Sequence, residues 1–148
     1  MHKLTLGLIL TALIHFHGGN VAYGAERVNM AIVAQIESNF NARAYNKSSG
    51  AIGMCQIVPK HVLPEFNERF KTHYKARDLY RTEINMMIAE WYINTRIPEY
   101  LAHFKIDDKI DNRLWAYNAG IGNVVKHRKP KETRNYIIKY HMIERENL

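Results

Sequence analysis

The 148-residue chain has a single cysteine, Cys55. One thiol excludes an internal disulfide framework and a cysteine-rich zinc module. Its 4 prolines and 8 glycines are dispersed, so no long flexible linker divides the chain. Acidic side chains are scarce, 14 against 21 lysines and arginines, and the resulting +7 at pH 7 suits an anionic partner better than a cationic one. The glycines at Gly50-x-x-Gly53 and Gly120-x-Gly122 are not phosphate loops, because no strand precedes them and no Lys-Ser/Thr follows. His61, His73, His103, His127 and His141 are too scattered to ligate an ion from one helix, so no metal and no cofactor is expected.

With 47% hydrophobic and 24% charged residues, the composition is that of one ordinary globular domain. Its first 24 residues read differently. Met1-His2-Lys3 is cationic, residues 4–16 are mostly apolar, and Gly18-Gly19-Asn20 breaks the run. Ala22 and Gly24 then place small residues at the −3 and −1 positions of a cut before Ala25. This is the layout of a secretory signal peptide, 1–24, leaving a mature domain, 25–148. An apolar stretch of 13 residues is too short to span a bilayer, so no stable membrane anchor is expected after cleavage. Cys55 lies far from the cut, so lipid attachment at the new N-terminus is not available. The expected location is the periplasm or the exterior.

The mature chain has helical periodicity and poor strand signal. Residues 28–36 are apolar nearly all round, which predicts a buried helix. Ile84, Met87, Ile88, Trp91 and Tyr92 repeat at helical spacing, with Pro98 expected to end or kink that helix. Ile110, Leu114, Trp115 and Tyr117 predict a third helix stopping at Gly120 and Gly122. A last helix is expected from an N-cap near Thr133, with Tyr136, Ile137, Tyr140 and Ile143 on one face. Residues 38–64 read as a loop-rich stretch. The predicted class is all-α.

Glu37 stands at the C-terminal end of the first apolar helix. Desolvation and the negative end of the helix dipole both disfavour a carboxylate there. Both raise its pKa, as a general acid near neutral pH requires. A glutamate that merely follows its helix into solvent is the alternative on these grounds alone.

Three blocks tip that balance. Glu37-Ser38-Asn39-Phe40 with Gly50-Ala51-Ile52-Gly53-Met54-Cys55-Gln56-Ile57-Val58-Pro59 is the first. Ala116-Tyr117-Asn118-Ala119-Gly120-Ile121-Gly122-Asn123-Val124 is the second, and Glu132-Thr133-Arg134-Asn135-Tyr136-Ile137 the third. In this order they resemble the catalytic domain of the soluble lytic transglycosylase type, and the segment 85–101 resembles one of its helices more loosely. The resemblance runs from about Asn29 to Tyr140.

It implies a lysozyme-like, goose-type-lysozyme-like helical fold with a substrate cleft, and peptidoglycan glycan strands as partner. The implied reaction is cleavage of the β-1,4 bond between N-acetylmuramic acid and N-acetylglucosamine, closing a 1,6-anhydro ring. Glu37 would be the catalytic residue. Ser38, Gln56, Tyr117, Asn118, Glu132 and Tyr136 would bind substrate, Ser38 and Gln56 from the cleft wall and Glu132 and Tyr136 from its far side. The muramoyl N-acetyl oxygen can stabilise the sugar cation, so one protein carboxyl suffices, and no other acid stands close to Glu37 in the chain. By analogy, a secretion or conjugation apparatus is a further partner, for which the enzyme would open the wall locally.

Two departures stand out. Cys55 occupies a position usual for methionine, where a buried inert thiol is expected. Lys47 replaces a small residue. Hydrolytic muramidase is the nearest rival, and a non-catalytic peptidoglycan-binding scaffold is the second. The basic run Lys126-His127-Arg128-Lys129-Pro130-Lys131 reads as a solvated face or as attraction to an anionic envelope, and nucleic-acid binding is not expected.

Overall fold

The computed structural model describes residues 26–147. The expected signal peptide lies outside the described residues. Among them no helix is long and apolar enough to cross a membrane. The architecture is all-α: α1 (Met30–Ser38), α2 (Pro59–Phe70), a 3₁₀ turn (Ala76–Tyr80), α3 (Thr82–Trp91), a π turn (Tyr92–Arg96), α4 (Ile97–His103), α5 (Ile110–Ala119), α6 (Ile121–Val125) and α7 (Lys131–Glu146). The described residues form no strand, only isolated bridges pairing Ile52 with Tyr45 and with Ile57.

Helix α1 is central because its sequence leaves little to expose. Ile32, Val33 and Ala34 are buried, and the helix packs against α3 and α7. Its entry is fixed by polar groups. Asn29 caps it by accepting the Ala31 amide at 2.9 Å, and the Asn29 amide donates to the Tyr140 hydroxyl of α7 at 2.7 Å. Just upstream, the Asn94 side chain accepts from and donates to the Val28 backbone at 2.9 and 3.0 Å. Arg113 is 4% exposed. Its charge is met by Asp108 at 2.6 and 2.7 Å, and it also donates to the Glu26 carbonyl at 3.1 Å. The exit is equally defined: Asn39 and Phe40 are both left-handed, with φ of 52° and 63°. Asn tolerates that region; a bulky Phe there is strained.

Five expectations are corrected or narrowed. The stretch 38–64 is not all loop: α2 begins at Pro59, a favourable first helical position, and carries Pro64 in its second turn. Of the end or kink expected at Pro98, the end does not occur. The backbone widens to a π turn just before it, and the Ile97 amide reaches back to the Tyr92 carbonyl. Helix continues to His103. Within the same helical run, Met87 is exposed rather than core. Gly120, at φ 84°, does stop α5, but Gly122 lies inside α6. Thr133 is not an N-cap. It is buried in the first turn of α7, which starts at Lys131, and donates to Asn118 Oδ1 at 2.7 Å.

Candidate active site

The last turn of α1 delivers Glu37 to a half-buried position, where its charge acts on Tyr136 of α7 and on Cys55 of the loop 39–58. Burial pushes its carboxyl pKa from 4.5 up to about 7, and the negative charge of Glu132 adds to the rise. The Tyr136 hydroxyl opposes it, being placed to donate toward the carboxylate. That hydroxyl is buried and makes no hydrogen bond among the described residues; the Glu37 carboxyl is the acid whose charge it feels. Its own pKa is raised, by burial first and by the Glu37 charge second. A carboxyl group half-protonated near neutrality can give a proton and take one back.

Glu132 is exposed in the first turn of α7. It is distant from Glu37 in the chain, yet the fold brings its charge to bear on that acid. The resemblance put Glu132 on the far side of the cleft as a substrate-binding residue; its action on the Glu37 charge comes from the fold.

The loop 39–58 is built as a rigid wall by taking up its own carbonyls. Asn85 Nδ2 donates to the Ile52 carbonyl at 2.9 Å, and Gln56 Nε2 to the Gly53 carbonyl at 2.9 Å. Ser38 Oγ donates to the Met54 carbonyl at 2.7 Å, and the Tyr117 hydroxyl to the Cys55 carbonyl at 2.7 Å. Asn85, 0% exposed, also accepts the Cys55 amide at 2.8 Å and donates to the Leu79 carbonyl at 2.9 Å. Gly53 has φ 78°, and a Cβ there would stand 2.3 Å from the Leu79 carbonyl oxygen and 2.4 Å from Asn85 Nδ2. No side chain fits. Asn85 is the residue that motif reading undervalued; its signal was a lone Asn among the apolar residues of α3.

Beside this wall lies an open cleft of about 450 Å³. Gln56, Tyr117 and Asn118 line it, as do His61, Glu65, Tyr92 and Tyr100, which the motifs did not single out. Glu65 is held by Arg96 and by the Tyr100 hydroxyl. Ser38 does not line this cleft: its hydroxyl donates to Met54 and accepts the Asn41 amide at 2.9 Å. Asn118 is oriented by Thr133. Tyr117 offers its ring to the cleft while its hydroxyl holds the wall. Glu37, Glu132 and Tyr136 stand together as an acid cluster, joined to the cleft through Tyr117, whose pKa the Glu37 and Tyr136 charges both help to raise after burial and Cys55.

Cys55 is fully buried, with Sγ 3.3 Å from Met86 Sδ. Burial, and secondarily the Glu37 charge, push the thiol up to about 12, so it stays protonated and unreactive. Among the described residues no group of His, Cys, Asp and Glu is disposed to hold a metal.

No solved structure matches the chain. A family model, Transglycosylase SLT domain, matches residues 16–139, a span that takes in α1, the loop wall, the cleft and most of α7. With that match covering most of its length, the chain belongs to the transglycosylase SLT domain family, whose function is of the peptidoglycan lytic transglycosylase type.

Proposed function

We propose that this protein is an exported lytic transglycosylase that cuts the bond between N-acetylmuramic acid and N-acetylglucosamine and leaves a 1,6-anhydro end. Glu37, neutral in part near pH 7, gives its proton to the glycosidic oxygen as the C1–O bond breaks. The muramoyl N-acetyl oxygen stabilises the positive C1. The Glu37 carboxylate then takes the proton of the O6 hydroxyl as that oxygen bonds to C1. The acid is regenerated and no water is consumed. Gln56, Tyr117 and Asn118 contact the glycan from the cleft; Tyr136 and Glu132 set the Glu37 pKa.

The observation that carries this reading is a half-buried carboxyl with a pKa of about 7 in a chain of this family. Digests of purified sacculi by the protein and by its Glu37→Gln variant, weighed by mass spectrometry, test it. Anhydro-muropeptides are expected from the wild type and none from the variant. A second reading, hydrolysis, is favoured by Glu132, which puts a second carboxylate in the field of Glu37. It predicts reducing-end products about 18 Da heavier, the mass of the added water.

The export proposal rests on the layout of residues 1–24. It predicts that protein recovered from the envelope fraction begins at Ala25, as N-terminal sequencing would read.

A further inference from the structure

The strap between α6 and α7 is a concentration of unpaired positive charge at the edge of the site. Lys126, Arg128 and Lys131 are exposed, and none is in an ion pair among the described residues. Five cations elsewhere are matched, Arg113 by Asp108, Arg96 by Glu65 and Glu99, Arg69 by Glu99, Arg27 by Glu90 and Lys109 by Asp107; others are unpaired too, but the strap is the basic run whose two ends meet the cleft. The one carboxylate of the segment 121–134 is Glu132, and its charge acts on Glu37.

The strap is also held in shape. The Lys126 amide donates to the Gly122 carbonyl at 3.2 Å, and the His127 and Arg128 amides donate to the Val124 and Asn123 carbonyls at 3.0 and 2.8 Å. Lys129 lies 4.3 Å over the Trp115 ring, and Arg134 donates to the Lys129 carbonyl at 2.6 Å. A strap already ordered loses little conformational freedom on binding.

Both of its ends are fastened to the site. Upstream, Ile121 and Gly122 line the cleft. Downstream, Thr133 donates to Asn118 of the cleft wall, beside Glu132. We infer that Lys126, Arg128 and Lys131 receive the free carboxylates of the peptides carried by a glycan strand seated in the cleft, so that the protein favours peptide-bearing over naked glycan. This rests on the peptidoglycan reading above. Sugar hydroxyls are neutral and gain little from unpaired cations at the rim. The peptides hung on muramic lactyl groups are the anions that such a polymer brings to a cleft edge, and their charge complements the strap.

The test is co-sedimentation of the inert Glu37→Gln protein with intact sacculi and with the same sacculi whose peptide carboxylates are converted to neutral amides by carbodiimide and methylamine, which leaves the cross-links in place. Neutralisation is expected to weaken binding about tenfold at low salt, the combined effect of three exposed ionic contacts. Adding Lys126→Gln, Arg128→Gln and Lys131→Gln should lower affinity for intact sacculi by the same factor and leave binding to amidated sacculi unchanged. Equal affinity for both sacculi, or a preference that survives the triple substitution, overturns the proposal. So does a triple variant that loses only its binding to anionic phospholipid vesicles, which would assign the strap to a lipid headgroup. Because binding is read without turnover, this result is separate from the anhydro-product assay, on which the transglycosylase reading stands or falls.

Discussion

The Tyr136 hydroxyl is buried beside the Glu37 carboxyl and is placed to donate toward it, against the rise that burial and Glu132 impose. The two neighbours therefore pull the acid in opposite directions. Glu37 must be protonated to start the reaction, so kcat/KM is expected to fall as pH rises through about 7. Tyr136→Phe removes the group that favours the carboxylate and should move that fall to higher pH. Glu132→Gln removes a repelling charge and should move it lower. Profiles of kcat/KM against pH for the three proteins check this; shifts of the same sign would remove Glu37 as the titrating group.

A raised carboxyl pKa has a cost in stability. Below 4.5 Glu37 is neutral in both folded and unfolded chains and contributes no difference. Between 4.5 and about 7 the unfolded chain loses its proton first, so the fold weakens as pH rises. The full effect, about 3 kcal/mol from the size of the shift, is reached above the folded pKa. Glu37→Gln should therefore stabilise the protein by up to about 3 kcal/mol at about pH 8 and hardly at all at about pH 4. Urea unfolding at the two pH values reads the difference, and a stabilisation independent of pH would contradict the burial of the charge.

The helices were legible where periodicity was strong. The all-round apolar stretch of α1 and the stripe through Ile84, Ile88 and Trp91 are both in the core, as their spacing predicts. α2 was hidden because Pro59 and Pro64 read as loop punctuation, though the first is a helix starter. The π turn that admits Pro98 has no local signature at all. In the site, Glu37 was legible from its place at the end of an apolar helix. Ser38, Gln56 and Tyr117 were legible as residue types but not in the partners their polar groups take, since those partners, the carbonyls of Met54, Gly53 and Cys55, depend on how the loop folds. The approach of Glu132 to Glu37 is a product of α1 packing on α7, a long-range event that spacing cannot encode.

The two loop glycines should respond very differently to alanine. Gly50 has φ 73° but nothing within 4 Å of the point where a Cβ would stand, so Gly50→Ala meets only the backbone penalty of about 1 kcal/mol. Gly53 carries the same penalty and a collision with the Leu79 carbonyl and the Asn85 amide. Gly53→Ala is expected to lose about 4 kcal/mol or more, because the obstacle is buried backbone and a clamped side chain rather than a flexible tip. Thermal unfolding of both variants measures the gap, and similar losses would show that the loop yields.

Asn85 gives the sharpest test of what holds the wall. Its amide accepts the Cys55 N–H and donates to the Ile52 and Leu79 carbonyls, all within 2.9 Å. Asn85→Leu keeps the volume but strands buried backbone groups, at about 3 kcal/mol or more. Asn85→Asp separates acceptor from donors. Its carboxylate can still accept from Cys55 but, ionised, would face two carbonyl oxygens. Protonation restores one donor and removes the buried charge, so the Asp variant should regain stability as pH falls below neutrality, where the Leu variant gains nothing comparable. Glycan binding should follow the same pH course, since Gln56 enters the cleft from this loop. An Asp variant whose stability tracked the Leu variant at every pH would mean that the carbonyls of Ile52 and Leu79 do not need Asn85.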